Sequence, residues 1–291
     1  MNDKTIKRYV PEKLFDNIKE DFAFLVEEVV NSQFEYDFQL RATSFNLYYK
    51  GNSLGKISYG KRNSLYTINV HTAFVTEKMR RQFGAKTRAS NDYLRFNIPA
   101  KQLRNFYSKS NLSIMSQKVK QVNYQEEIIF EQSLITDNIH REDIIIIDRQ
   151  VREPGVSGRM DLLALILNGQ GIYQFCVLEV KLGNNRELEG SVVDQIDRYI
   201  KQINDNFKSY KASYEVNYKQ KRELGLFKAS ATTSVTISLP VCGAIVVIGY
   251  PGKAKENIAA LKTKLQRTDN ITLIQFRNLL DVSKILDKRQ S

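Results

Sequence analysis

Leu14, Ile18, Phe22, Leu25, Val26 and Val29 recur at three- and four-residue spacing behind Pro11, which predicts one amphipathic packing helix with an acidic polar face. Between Phe34 and Pro99 the period changes. The stretches 38–51, 53–60, 64–74 and 92–99 are rich in Tyr, Phe, Thr and β-branched residues, and Gly51-Asn52, Gly60-Lys61 and Gly84 punctuate them, so strands are expected. Residues 101–121 return to a basic helical pattern, expected to be the joint between two halves. A further helix follows, with Ile128, Ile129, Leu134 and Ile135 on its buried side. Apolar strands are expected at 159–167 and 172–182, then an amphipathic helix over 186–207 that puts Gln195 and Tyr199 on one face. Residues 241–250, apolar on both faces, read as a central buried strand. A helix at 255–265, a strand at 271–276 and a closing helix at 279–286 complete the chain. The order over 120–291 is α-β-β-β-α-β-α-β-α. This predicts an α/β unit, a mixed sheet flanked by helices, behind a β-rich first domain, and hence an α+β chain overall. Residues 208–234 interrupt that order with a basic, Tyr-containing insertion: a helical extension, a loop able to cover a substrate, or an ordinary surface insertion.

At 291 residues the chain can hold two modest domains, here placed at 1–118 and 119–291. No Pro/Gly/Ser-rich linker divides them, so close packing is expected. No apolar run reaches a membrane span, and the first residues lack the apolar segment of a secretion signal. A cytoplasmic protein without a membrane partner is expected. Cys176 and Cys242 fall within core strands and read as small buried hydrophobes, and His71 and His140 are too few for a histidine-based zinc site.

The net charge of +12 is unevenly spread. Residues 38–120 carry sixteen Lys/Arg against two acids, whereas 1–37 carry five against nine and 121–291 twenty-three against twenty-one. A basic excess confined to one stretch suits a phosphate backbone. Arg80, Arg81, Lys86 and Arg88 cluster within it and are the expected nucleic-acid contacts, with tyrosines interleaved.

The most informative stretch is the hairpin over 159–182. A three-residue loop, Gly169-Gln170-Gly171, puts Gly171 at the left-handed position. Asn168 then pairs with Ile172, which sets Asp161 opposite Glu179, with Lys181 on the same face. Cross-strand Cβ atoms stand about 4.5–5.5 Å apart. Two carboxylates that close repel unless a cation lies between them, and oxygen-only ligands suit Mg²⁺ or Mn²⁺. An E-x-K triplet alone commonly marks a solvated strand face. Acids inside strands this apolar point instead to a cleft, since burying them unpaired costs several kcal/mol.

Asp161 followed by Glu179-Val180-Lys181 resembles the PD-(D/E)XK nuclease superfamily, with the RecB-like and NucS-like branches the nearer match over roughly 120–280. Asp148-Arg149-Gln150, Gly158-Arg159-Met160-Asp161-Leu162-Leu163 and Gln195-Ile196-Asp197-Arg198-Tyr199 extend the likeness. Met160 departs from the proline of the family's name motif. The resemblance implies a restriction-endonuclease-like fold and a Mg²⁺- or Mn²⁺-dependent endonuclease acting on DNA rather than RNA, in restriction, phage defence or repair. A homodimer is compatible with it. Asp161 and Glu179 would bind the metal together with the carbonyl of Val180. Glu127, with Glu131 one turn later, fits the glutamate of the family's preceding helix and would support the metal directly or through water. Lys181 would orient the water, and Gln195 would order the site. The alternative is a non-catalytic nucleic-acid-binding protein on a degenerate nuclease fold.

Overall fold

The structure, a computed structural model, describes residues 6–60, 64–87, 92–122, 126–152, 158–168, 171–227, 234–266 and 268–276. The expected helix at 279–286, Arg88 and the loop residues Gly169 and Gln170 lie outside them. The elements form a mixed α/β chain built on two sheets.

The first unit opens with α1 (Glu12–Asp21) and α2 (Ala23–Asn31), two helices where the pattern suggested one. The break falls at Phe22. Its ring turns inward against Phe45 and Tyr66, with centroids 4.8 and 4.9 Å away, so the apolar period runs through the break and conceals it. A hairpin follows, β1 (Tyr36–Arg41) and β2 (Ser44–Tyr49), where one long strand was read. Then come β3 (Asn52–Gly60), β4 (Leu65–His71), α3 (Glu77–Gln82), β5 (Lys86–Thr87) and β6 (Tyr93–Pro99). All are antiparallel, in the order β1-β2-β3-β4-β6-β5. One face of this sheet is apolar. It packs on α1 and α2 and on α4 (Leu103–Phe106) and α5 (Lys109–Val122), so the presumed joint at 101–121 belongs to the first core through Leu103, Phe106, Leu112, Met115 and Val119. The other face is polar, with Lys56, Asn69 and Arg95 alternating with buried apolar neighbours.

The second unit runs α6 (Glu126–Asn138), β7 (Ile144–Val151), β8 (Met160–Leu167), β9 (Tyr173–Leu182), α7 (Ser191–Asp205), α8 (Phe207–Glu223), β10 (Ile237–Ile248), α9 (Pro251–Leu265) and β11 (Ile271–Phe276). Its sheet order is β11-β10-β9-β8-β7, antiparallel from β7 to β9 and parallel from β9 to β11. Ile135 and Phe130 of α6 cover one face, against Leu178 and Val180. Residues of α7, α8 and α9 cover the other. Cys176 and Cys242 pair across β9 and β10 as free thiols.

The insertion is a helix. On α8, Tyr210, Tyr214 and Tyr218 recur every fourth residue, are fully buried and join the core of the second unit; Tyr210 and Tyr214 pack on Phe175. A second stripe receives residues 6–10 as an extended segment. Ile6 N–H donates to Ser209 Oγ (2.8 Å), Arg8 N–H to Ser213 Oγ (2.7 Å) and Val10 N–H to Gln220 Oε1 (3.1 Å). The described part of the insertion is thus a structural element and not a cover over a substrate. The two units exchange residues: Ile6 packs in the second core, and Leu224 and Leu226 in the first.

Candidate active site

The β8–β9 ladder pairs Leu162 with Leu178 and Leu167 with Tyr173, so the same register carries Asp161 opposite Glu179. The described ends of the loop agree with the glycine pattern: Gly171 takes φ 76°, and Asn168 N–H donates to Ile172 O at 2.8 Å. The side chains converge. Val180 N–H donates to Asp161 Oδ2 (3.0 Å), and Asp161 N–H reaches Glu179 Oε1 (3.4 Å). Lys181 Nζ stands 3.5 Å from Glu179 Oε2 and 2.7 Å from Glu187 Oε2.

Glu179 is fully buried and Lys181 nearly so, while Asp161 is partly open. Burial, then the charge of Asp161, pushes Glu179 well above the usual carboxylate range, with Lys181 opposing. Burial also raises Asp161, against the pull of Lys181 and the hydrogen bond from Val180. Burial would lower Lys181, but Glu179, Glu187 and Asp161 outweigh it and hold the lysine above its ordinary value.

From α7, Gln195 Nε2 donates to Glu179 Oε2 at 3.0 Å and lies 3.4 Å from Tyr199 Oη, as expected of two residues one turn apart. Tyr199 closes the site from behind. Gly158, with φ 94°, passes so near its hydroxyl that a Cβ there would come within 2.5 Å. Any other residue would displace the turn that leads into Asp161.

Glu127 enters from α6, but its Oε1 accepts from Leu182 N–H (3.1 Å) and Asn185 Nδ2 (2.8 Å) at the end of β9. Glu131 is turned to β7, where it accepts from Gln150 Nε2 (2.9 Å) and Arg149 Nη2 (3.1 Å). Among the described residues no three His, Cys, Asp or Glu side chains group closely enough to hold a metal ion. Asp161 and Glu179 remain a fitting pair of hard oxygen donors, because their converging carboxyls have only one lysine to balance them. Val180 separates Glu179 from Lys181 along β9, with its side chain on the opposite face, packed with Val246 and Ile248.

Sequence reasoning attached no role to Asp148 and Arg149 beyond their place in a pattern. Both are fully buried between the units. A register shift between Ile146 and Asp148 swings them toward the first sheet. Arg41 Nη1 reaches Asp148 Oδ1 at 2.7 Å, and Tyr214 Oη donates to Asp148 Oδ2 at 3.0 Å. Arg149 donates to Gln132 Oε1 (2.6 Å) and Glu131, and faces Asp37 Oδ2 at 3.6 Å. Lys221 Nζ donates to Gln39 Oε1 (2.7 Å) and Ile147 O (2.6 Å). These partners lie up to 182 positions apart, out of reach of any local pattern.

The expected nucleic-acid cluster is only partly brought together. Arg80 and Arg81 share α3 with Glu77, which approaches both, and Arg80 Nη2 also donates to Thr72 O at 2.9 Å. Arg81 and Lys86 are exposed. No helix among the described residues is long and apolar enough to cross a membrane. Comparison with family models, curated proteins and solved structures gave no match.

Proposed function

We propose that this chain is a metal-dependent endonuclease that hydrolyses phosphodiester bonds in DNA, with a restriction-endonuclease-like second unit and a basic, β-rich first unit that holds the polymer. One observation carries the reading: Asp161 and Glu179 converge from paired strands beside Lys181 in a centre otherwise closed by apolar strands. Mg²⁺ or Mn²⁺, when bound, polarises the phosphate and makes the attacking water more acidic. Asp161, Glu179 and the Val180 carbonyl would hold it, with Glu127 in support from α6. Lys181 orients the water and balances charge on the phosphate, and Gln195 keeps Glu179 in place through its amide.

The test is cleavage of labelled single-stranded, duplex and branched DNA, and of RNA, with and without Mn²⁺. Cation-dependent cleavage of DNA is expected. Asp161→Ala and Lys181→Ala should each reduce it by about 10³-fold, the several kcal/mol of transition-state stabilisation that such groups supply. Nucleic-acid affinity should stay within a few fold, because it comes from backbone contacts elsewhere. Undiminished cleavage by either variant removes these residues from the mechanism. Binding without cleavage by the wild type would favour the non-catalytic reading.

A further inference from the structure

A cleft of about 920 Å³ runs over the polar face of the first sheet and ends on the second unit at Gln150, Arg152 and Arg159. Gln150 is hydrogen-bonded to Glu131, and Arg159 stands two residues before Asp161, so the cleft ends beside the elements that carry the candidate active site, though Asp161, Glu179 and Lys181 are not among its described lining residues. Its chemistry differs along its walls. Lys56, Arg152 and Arg159 are its described cations, all exposed, and no Asp or Glu is among its described lining residues. His71, Phe74 and Tyr93 form a ring cluster on the opposite wall, with His71 centroids 5.2 and 5.4 Å from the other two. Tyr93 leaves 47% of its surface exposed there. On the strands flanking Lys56, Asn46 and Asn69 turn their Oδ1 atoms into the protein, buried without a hydrogen-bond partner.

Resting on the nuclease reading, we infer that this cleft seats an unpaired strand of DNA on its way to Asp161. The cations suit phosphates, and the exposed ring suits base stacking, which is available only where bases are splayed out. In a duplex the base faces are already stacked on one another and closed to such a ring, so the exposed Tyr93 favours an unpaired strand. The sequence pointed to the Arg80 cluster because its cations are adjacent in the chain. Lys56, Asn69 and Tyr93 come together only through the β3-β4-β6 register.

The test measures anisotropy of labelled oligothymidylate, a duplex of equal length and polyglutamate with the full chain in EDTA, where nothing is cut. Wild type should prefer oligothymidylate. Tyr93→Ala should weaken it by about 5- to 150-fold, the loss of one stacked base. Lys56→Gln should lower the slope of log affinity against log salt by about 0.7. Both side chains are surface groups, and an unchanged melting temperature verifies the fold. Tighter binding of the duplex or of polyglutamate overturns the inference, as does oligothymidylate affinity that neither variant alters. Cleavage with Mn²⁺ is scored separately: a wild type that binds the strand without cutting any DNA breaks the nuclease reading and leaves the cleft standing.

Discussion

Asp148 on β7 and Asp161 on β8 are carboxylates on adjacent strands, the first sealed from solvent and the second partly open. Around Asp148, the cations Arg8, Arg41, Arg149 and Lys221 meet the acids Asp37, Asp148 and Glu131. Burial would raise Asp148, but Arg41, Arg8 and Lys221 hold it below the usual range. Around Asp161 the balance is reversed. Two converging acids share one lysine, and both are raised. The difference teaches how to tell a strut from a site: what separates them is which charge is in surplus after folding. Glu131 stands between the two regions, raised by burial and by Asp161 and pulled down by Arg149.

That contrast can be broken most forcefully at Asp148. Asp148→Asn strips Arg41 of its partner inside the interface and should cost about 3–5 kcal/mol of stability. Urea unfolding measures it, and a loss of only a few tenths would show that the cluster is no strut.

The next test uses the cation surplus. Burial, with Arg41 adding to it, lowers Lys221 to about 8 despite Asp37 and Asp148. The folded state therefore releases the proton at lower pH than the unfolded chain. Below about pH 8 both states are charged and the full cost of burying the charge is present. As pH rises from about 8 toward the ordinary lysine value of 10.5, wild type should gain stability relative to Lys221→Met, by on the order of 3 kcal/mol. A pH-independent difference between the two proteins would count against a buried charged lysine.

The smallest expected effect sharpens the other side. Mn²⁺ at about a hundred times its dissociation constant should stabilise the wild type by about 2.7 kcal/mol. Glu179→Gln should abolish that gain in thermal melts, whereas a variant that kept it would put the cation elsewhere.

How much of this was legible follows from the range of the interactions. The register of Asp161 against Glu179 could be read because one short loop sets it, and Gln195 because helical spacing aligns it with Tyr199. The break at Phe22 was hidden, since the residue that ends α1 also continues its apolar stripe. For 208–234 the sequence left a helical extension, a covering loop and a surface insertion open, because the tyrosine and Ser/Asn/Gln stripes of α8 are each buried only by distant partners. Arg41 with Asp148, and Lys56 with Asn69 and Tyr93, depend on chain crossings that no periodicity records.

The docking of residues 6–10 on α8 also has a consequence for the order of assembly. Their partners lie 203–210 positions further along the chain. At a synthesis rate of ~5–20 residues per second, residues 6–10 wait roughly ten to forty seconds before Gln220 has been made. During that time their backbone donors have only water, and Ile6 has no core to enter. The first sheet can fold as it emerges, but the segment that ties it across the second unit must wait for α8, and β10, α9 and β11 are still to be made when Gln220 appears.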